Sequence, residues 1–182
     1  MKKQKLMAVV VLTALTGLFV GCNDDDSSSC IEDYTGVLST EETAFAGEWN
    51  LTAIVSDKEV DITDDEEENP STDLFAQQTD CQNDQQYVFN TDRTLEISSG
   101  KTAEGCENPA TISGTWKLGG STLGTIYYCS EQTQELDFNS DRTTFSITTS
   151  NLEITQVDGT KVQAKITFTY TQAPVAEAEV AL

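Results

Sequence analysis

Histidine is absent from this chain of 182 residues. That removes the commonest general base and the commonest metal ligand. Neither a Ser-His-Asp nor a Cys-His catalytic site can be built without it. Positive charge is scarce too: 10 Lys and Arg stand against 31 Asp and Glu, for a net charge of −21. So acidic a chain repels nucleic acid and anionic head groups, and no nucleic-acid partner is expected. No Cys-x-x-Cys occurs, which argues against a redox motif or a zinc ribbon. Carboxylate pairs of the glycosidase kind remain conceivable, but with this many acidic residues a suggestive pair arises by chance. Neither an enzyme, a cofactor nor a metal site is expected.

Long apolar runs are also lacking. The longest, Leu6 to Val20, follows Lys2, Lys3 and Lys5 and falls short of the roughly 20 residues a spanning helix needs. Its length and charged start suit the h-region of a signal peptide. It ends in Val20-Gly21-Cys22, with Phe19 where leucine is usual. This end resembles the lipobox of bacterial lipoproteins, in which the cysteine becomes the acylated first residue. The resemblance makes residues 1–21 the signal peptide and Cys22 the lipidation site, with the membrane as partner through that anchor. Removing residues 1–21 leaves 161 residues at −24, a size that fits one domain with a real core. Residues 22–41 read as the lipidated cysteine and a flexible acidic tether. Within it, Asp24, Asp25 and Asp26 are either solvated linker or a surface-export address of the kind that lipoproteins of the Bacteroidota carry after the cysteine. An outer-membrane lipoprotein is expected, facing either the periplasm or the cell exterior.

With Cys22 assigned to lipid, Cys30, Cys81, Cys106 and Cys129 remain. An exported protein meets oxidising conditions, so disulfides are expected. Four cysteines allow three pairings, which cysteine spacing alone does not decide. The favoured set is Cys81–Cys106 with Cys30–Cys129. The first closes a loop of 25 residues and is worth about 3.5 kcal/mol by chain entropy. The second, across 99 residues, is worth about 4.7 kcal/mol and ties the N-terminal segment to the domain.

Short runs of alternating apolar and polar residues fill the rest. From Glu48 to Val55, Trp49, Leu51, Ala53 and Val55 share one face, and Gly47 marks a turn or close approach. Lys58–Thr63 reads as a short return strand. Asp64 to Pro70 lacks the ligand spacing of an EF-hand and reads as a solvated loop. A short helix is expected over Ser71–Gln78, capped by Ser71 or Thr72. Tyr87 and Phe89 lie on one strand and Leu95 and Ile97 on its partner, with Thr91-Asp92-Arg93 as the turn. The arms from Asp92 back to Cys81 and on to Cys106 are nearly equal, so this hairpin brings those cysteines to one edge. Further strands are expected over Thr111–Leu118, Leu123–Cys129, around Leu136 and Phe138, and around Phe145 to Ile154. Asp158-Gly159 is the strongest hairpin signal. After it Val162, Ala164, Ile166, Phe168 and Tyr170 alternate with polar residues. The outcome is an all-β antiparallel up-and-down barrel of about eight strands over residues 42–172, followed by a C-terminal tail, 173–182.

Gly47-Glu48-Trp49-Asn50-Leu51-Thr52, Cys81-Gln82-Asn83-Asp84 followed by Tyr87-Val88-Phe89, Asp92-Arg93-Thr94, Cys106, and Gly114-Thr115-Trp116 occur in that order. Together they resemble the lipocalin-like lipoproteins of the Bacteroidota, over about residues 42–171. Arg93 stands where that family often has glycine. The resemblance implies a lipocalin-like barrel and pairing of the two central cysteines, and it brings no assigned ligand or binding residue. Such a barrel either holds one small ligand or fills with side chains. The first makes the protein a binding module for a small apolar or mildly polar molecule. The second makes it a structural or protein-interaction lipoprotein.

Overall fold

Alternating side chains, β-branched residues and short polar turns carry most of the chain into antiparallel strands. The computed structural model describes residues 30–174. The signal segment 1–21, Cys22, the Asp24–Asp26 run and residues 175–182 lie outside the described residues. In chain order the elements are α1 (Thr40–Phe45), β1 (Gly47–Val60), β2 (Ser71–Asp73), α2 (Asp80–Asn83), β3 (Gln85–Phe89), β4 (Thr94–Ser99), β5 (Ala110–Gly119), β6 (Thr122–Tyr127), β7 (Ser130–Glu135), β8 (Asp137–Phe138), β9 (Thr144–Thr155) and β10 (Lys161–Gln172).

The strands hydrogen-bond in the order β7-β6-β5-β4-β3-β1-β10-β9-β8, with β2 added to β1. Leu136 alone separates β7 from β8. One stretch of chain, 130–138, thus pairs first with β6 and then with β9. Taken as one strand, it makes eight that go round an antiparallel, lipocalin-like barrel. The closure is partial. Beyond Leu136, β7 pairs with β6 and not with β9, so two strand edges face each other across a slot.

One end of the barrel is solid. Ser39 caps α1 through a capping box with Glu42, which satisfies two otherwise orphaned N–H groups. The helix drives Phe45 into the barrel, where its ring lies 4.7 Å from Phe89, 5.0 Å from Trp49 and 5.8 Å from both Trp116 and Phe145. The indole N–H of Trp49 donates to the Phe45 carbonyl at 2.9 Å, and that of Trp116 to the Asn90 carbonyl at 3.0 Å. Both tryptophans are fully buried with their one polar atom partnered, so they contribute apolar area without the penalty of a lost hydrogen bond.

The strands depart from simple alternation at two bulges. In β1 the pairing with β10 shifts between Leu51 and Ala53. The extra residue, Thr52, flips the faces that follow. Trp49 and Leu51 point inward, then Ile54 and Ser56 do, and Val55 is 45% exposed. The single inward face expected for Trp49, Leu51, Ala53 and Val55 is corrected accordingly. In β9 the shift lies opposite Ala164–Ile166, at Asn151, whose φ is +58°. It reconciles odd-numbered Phe145 and Ile147 with even-numbered Leu152 and Ile154.

Three other expectations are corrected. Lys58–Thr63 is not a return strand, because β1 runs unbroken to Val60. Ser71–Gln78 is not a helix: Ser71–Asp73 pairs with β1, and the capped turn comes later, with Thr79 and Gln82 forming a capping box on α2. Residues 30–41, assigned to the tether, lie against the barrel. Tyr34 N–H donates to Thr115 Oγ1 at 3.0 Å, and Arg93 donates to the carbonyls of Gly36 and Val37 at 3.0 and 3.2 Å.

Candidate functional site

Of the residues singled out in the sequence, the four central cysteines are all paired. Cys81 and Cys106 are joined with Cα atoms 5.5 Å apart, and Cys30 and Cys129 with Cα atoms 4.5 Å apart. The β3–β4 hairpin sets Tyr87 opposite Ile97 and Phe89 opposite Leu95, which returns Cys81 and Cys106 to one edge. Both disulfides sit at the barrel end away from α1. Among the described residues, no three Cys, Asp or Glu side chains are grouped to hold a metal ion. Asp64 to Pro70 is a loop beside the β9–β10 turn.

Beyond the aromatic layer the core continues through Ile54, Val60, Ile154, Ala164 and Ile166, and on the β7 side it leaves a gap. A cleft of about 250 Å³ opens along the slot between β7 and β9. Ile97, Leu123, Ile147 and Phe168 supply its apolar wall. Gln85, Gln132 and Gln134 bring three carboxamides to it, and Thr125 and Thr149 add hydroxyls. Tyr87, Tyr127 and Tyr170 complete the lining. The rings of Tyr87 and Tyr170 meet edge-to-face at 5.0 Å, and Tyr170 Oη donates to Gln85 Oε1 at 3.3 Å.

No lining residue of this cleft carries a charge, in a chain with 31 acidic residues. Removal from water pushes the Tyr170 hydroxyl well above its ordinary value, and the Tyr87 hydroxyl beside it adds to this. Burial raises Tyr87 as well, with Tyr127 adding to the effect, and burial alone raises Tyr127. All three phenols are therefore neutral, and the proton of Tyr170 is already given to Gln85. Gln132 Nε2 is used by Ser130 Oγ at 3.0 Å and Gln134 Nε2 by the Glu135 carbonyl at 3.1 Å. The cleft thus offers aromatic faces, acceptors and donors, and no countercharge.

Sequence reading passed over this wall. In β7, Glu131, Thr133 and Glu135 face outward while Gln132 and Gln134 are half-buried. With polar residues on both faces, no period-2 apolar signal exists to mark the strand. The feature that hides β7 is the one that makes the cleft polar.

Fold and cleft together define a lipocalin-like barrel, packed with aromatic side chains at one end and slotted on the β7–β9 side, where the cleft carries no charge. The chain belongs to the family described as a domain of unknown function, DUF5004, which matches residues 23–173. No curated protein matches it.

Proposed function

We propose that this protein is a lipid-anchored lipoprotein of the bacterial outer membrane whose barrel binds one small, uncharged, amphipathic molecule. It acts as a binding module and not as an enzyme. The observation that carries the reading is the uncharged cleft. Burying an ion there would leave it unpaired at a cost of several kcal/mol. A neutral molecule with an aromatic or aliphatic body and one or two amide or hydroxyl groups meets a partner for each part. The volume, about 250 Å³, lies just below the usual range for drug-sized sites and equals roughly eight waters at about 30 Å³ each. Support for the anchor is the charged start, the short apolar run and the Gly21-Cys22 end, which together resemble a lipoprotein signal, as the motifs from Gly47 to Trp116 resemble lipocalin-like lipoproteins of the Bacteroidota. The anchor leaves open which membrane face the barrel occupies.

The solid aromatic end favours a second reading, a structural or interaction lipoprotein in which the cleft is incidental. Native mass spectrometry of protein purified from its own cells separates the two. A bound mass that disappears in Thr125→Trp, which fills the cleft, is expected of a binding module. A barrel that carries no adduct, or an adduct that Thr125→Trp leaves in place, supports the second reading.

A further inference from the structure

The two barrel ends differ in make. At one lie α1, the β3–β4 turn at Asn90–Arg93, the β5–β6 turn and the β8–β9 turn, held together by contacts of Glu42 with Arg93 and of Arg142 with Glu41 and Gly120. At the other lie α2, the β6–β7 and β9–β10 turns and both disulfides. The slot between β7 and β9 is shut at the first end by the β8–β9 pairing, so it opens toward the second.

The N-terminal strap runs between these ends along the outside of the barrel. At its middle the Tyr34 hydroxyl donates to Glu131, and Lys117 Nζ lies 4.3 Å from the centre of the Tyr34 ring. At its far end Gly36 and Val37 accept from Arg93 beside α1. At its start, Cys30 is bonded to Cys129 in the β6–β7 turn. Tyr128 and Cys129 both hold positive φ there, +50° and +60°, as the two central residues of a tight hairpin turn between Tyr127 and Ser130 do. Because of this bond, the chain leaves the barrel from the open end of the slot. Without it, the first hold would be that of Tyr34 on Thr115 and Glu131, further along the barrel wall.

Cys30 stands eight steps along the chain from Cys22, and a fully extended chain spans at most about 3.3–3.6 Å per residue, or roughly 29 Å. A twelve-residue strand such as β10, at about 3.3 Å per residue and tilted by about 40°, makes the barrel itself roughly 30 Å tall. The connection to an anchored Cys22 is no longer than the barrel. From this we infer that the Cys30–Cys129 disulfide turns the open end of the slot toward the bilayer that holds the anchor, making that membrane surface the partner the slot faces. The inference rests on the lipid anchor of the proposed function. Two surface features fit it. Tyr128, 77% exposed beside Cys129, has the aromatic body and polar tip suited to an interface. The Asp64–Glu68 loop beside the β9–β10 turn repels anionic head groups and keeps the slot clear of direct contact.

The test uses the mature lipoprotein purified from membranes, with the acyl mass on Cys22 verified by mass spectrometry, in phosphatidylcholine vesicles containing a dansyl head-group lipid. Tyr128→Trp and Ser140→Trp are introduced singly, at the open and solid ends, and the signal from Trp49 and Trp116 is subtracted using the parent protein. Energy transfer to the dansyl lipid is expected to be at least twofold greater from position 128 than from position 140. That difference is expected to shrink by at least half with Cys30→Ser and Cys129→Ser together, where only the Tyr34 contacts still hold the strap. Equal or reversed transfer in the disulfide-intact protein overturns the inference, as does a difference that loss of the disulfide leaves undiminished. Absence of the acyl group on Cys22 overturns the anchor and the inference together. Acylated protein with equal transfer overturns the orientation alone.

Discussion

Arg93 and Glu42, from the β3–β4 turn and from α1, form a buried two-pronged ion pair. Nη1 donates to Oε1 at 2.7 Å and Nη2 to Oε2 at 3.0 Å. Arg93 also donates to the carbonyls of Gly36, Val37 and Trp116, while Glu42 also accepts from the N–H groups of Ser39 and Leu118. The backbone of Arg93 holds φ at +72°, the conformation a glycine would take without penalty. An arginine tolerates that position here because its side chain ties the strap, the helix and two strands together.

Removing one partner leaves the other charge buried, so Glu42→Gln or Arg93→Ala is expected to cost about 3–5 kcal/mol. Arg93→Gly relaxes the backbone, worth about 1–2 kcal/mol, and remains destabilising. The Arg93 guanidinium, with the Ser39 and Leu118 N–H groups, holds the Glu42 carboxyl down at about 2 against burial, which raises it. A carboxylate lowered in the folded state contributes stability above its unfolded value, near 4.5, and loses it as pH falls toward 2. The gap in urea midpoint between wild type and Glu42→Gln should therefore narrow between pH 5 and pH 2. A constant gap would show that the ion pair does not set it.

Cys81→Ala should leave Cys106 as a free thiol and lower stability by about 2–4 kcal/mol. Thiol counting under denaturing, non-reducing conditions should give one more reactive cysteine for this variant than for the parent. The linked peptide joining Cys30 to Cys129 should persist unchanged, since the two bridges share no residue. Scrambling of that second bridge would mean that the pairings depend on each other.

Two glycines of the β5–β6 hairpin, Gly114 in β5 and Gly124 in β6 opposite Lys117, should behave differently. A Cβ at Gly114 would stand 2.2 Å from the Ile126 carbonyl oxygen, so Gly114→Ala must push two strands apart and should cost at least about 1–3 kcal/mol. A Cβ at Gly124 would meet the Tyr34 hydroxyl at 2.8 Å and Lys117 Cε at 3.1 Å, both ends of flexible side chains. Gly124→Ala should leave the melting temperature nearly unchanged while raising proteolysis of the strap around Tyr34. Equal destabilisation by the two substitutions would contradict this.

For the anchor, Cys22→Ser should shift the protein from the membrane to the soluble fraction or leave it unprocessed, and should abolish labelling by palmitate. Replacing Asp24, Asp25 and Asp26 by alanine should leave the acylated protein membrane-bound but hidden from protease added to intact cells, if those residues address it to the surface. Equal shaving of both forms would assign them to the linker.

The strands that pair an apolar face with a polar one were legible from residue types alone: β3, β4, β5 and β10 stand where their alternation puts them, while β6, buried on both faces, ends at Tyr127, two residues short of the expected Cys129. The β1 bulge was not, because Thr52 fits a regular strand and its extra place appears only against Thr169 and Tyr170 across the sheet. The β9 bulge left a trace, the change of parity between Ile147 and Leu152. Helix α1 also left one, in Ser39-x-x-Glu42, a capping-box spacing that precedes too short a run to read as a helix. The cleft was the least visible part. Its walls come from six strands, and a half-buried glutamine in β7 resembles an exposed one until β9 is seen to stand away from it.

The barrel closes by pairing β1 with β10, Trp49 beside Gln172, whereas β3 through β7 each pair with a neighbour in the chain. Local hairpins form in microseconds, but a contact between the first and last strands must wait for the longest loop to close. In synthesis from the N-terminus, β1 appears first and β10 last. The edge of β1 from Trp49 to Ile54 that β10 covers stays unpaired for that interval, and an unpaired edge is the place where another chain can add a strand.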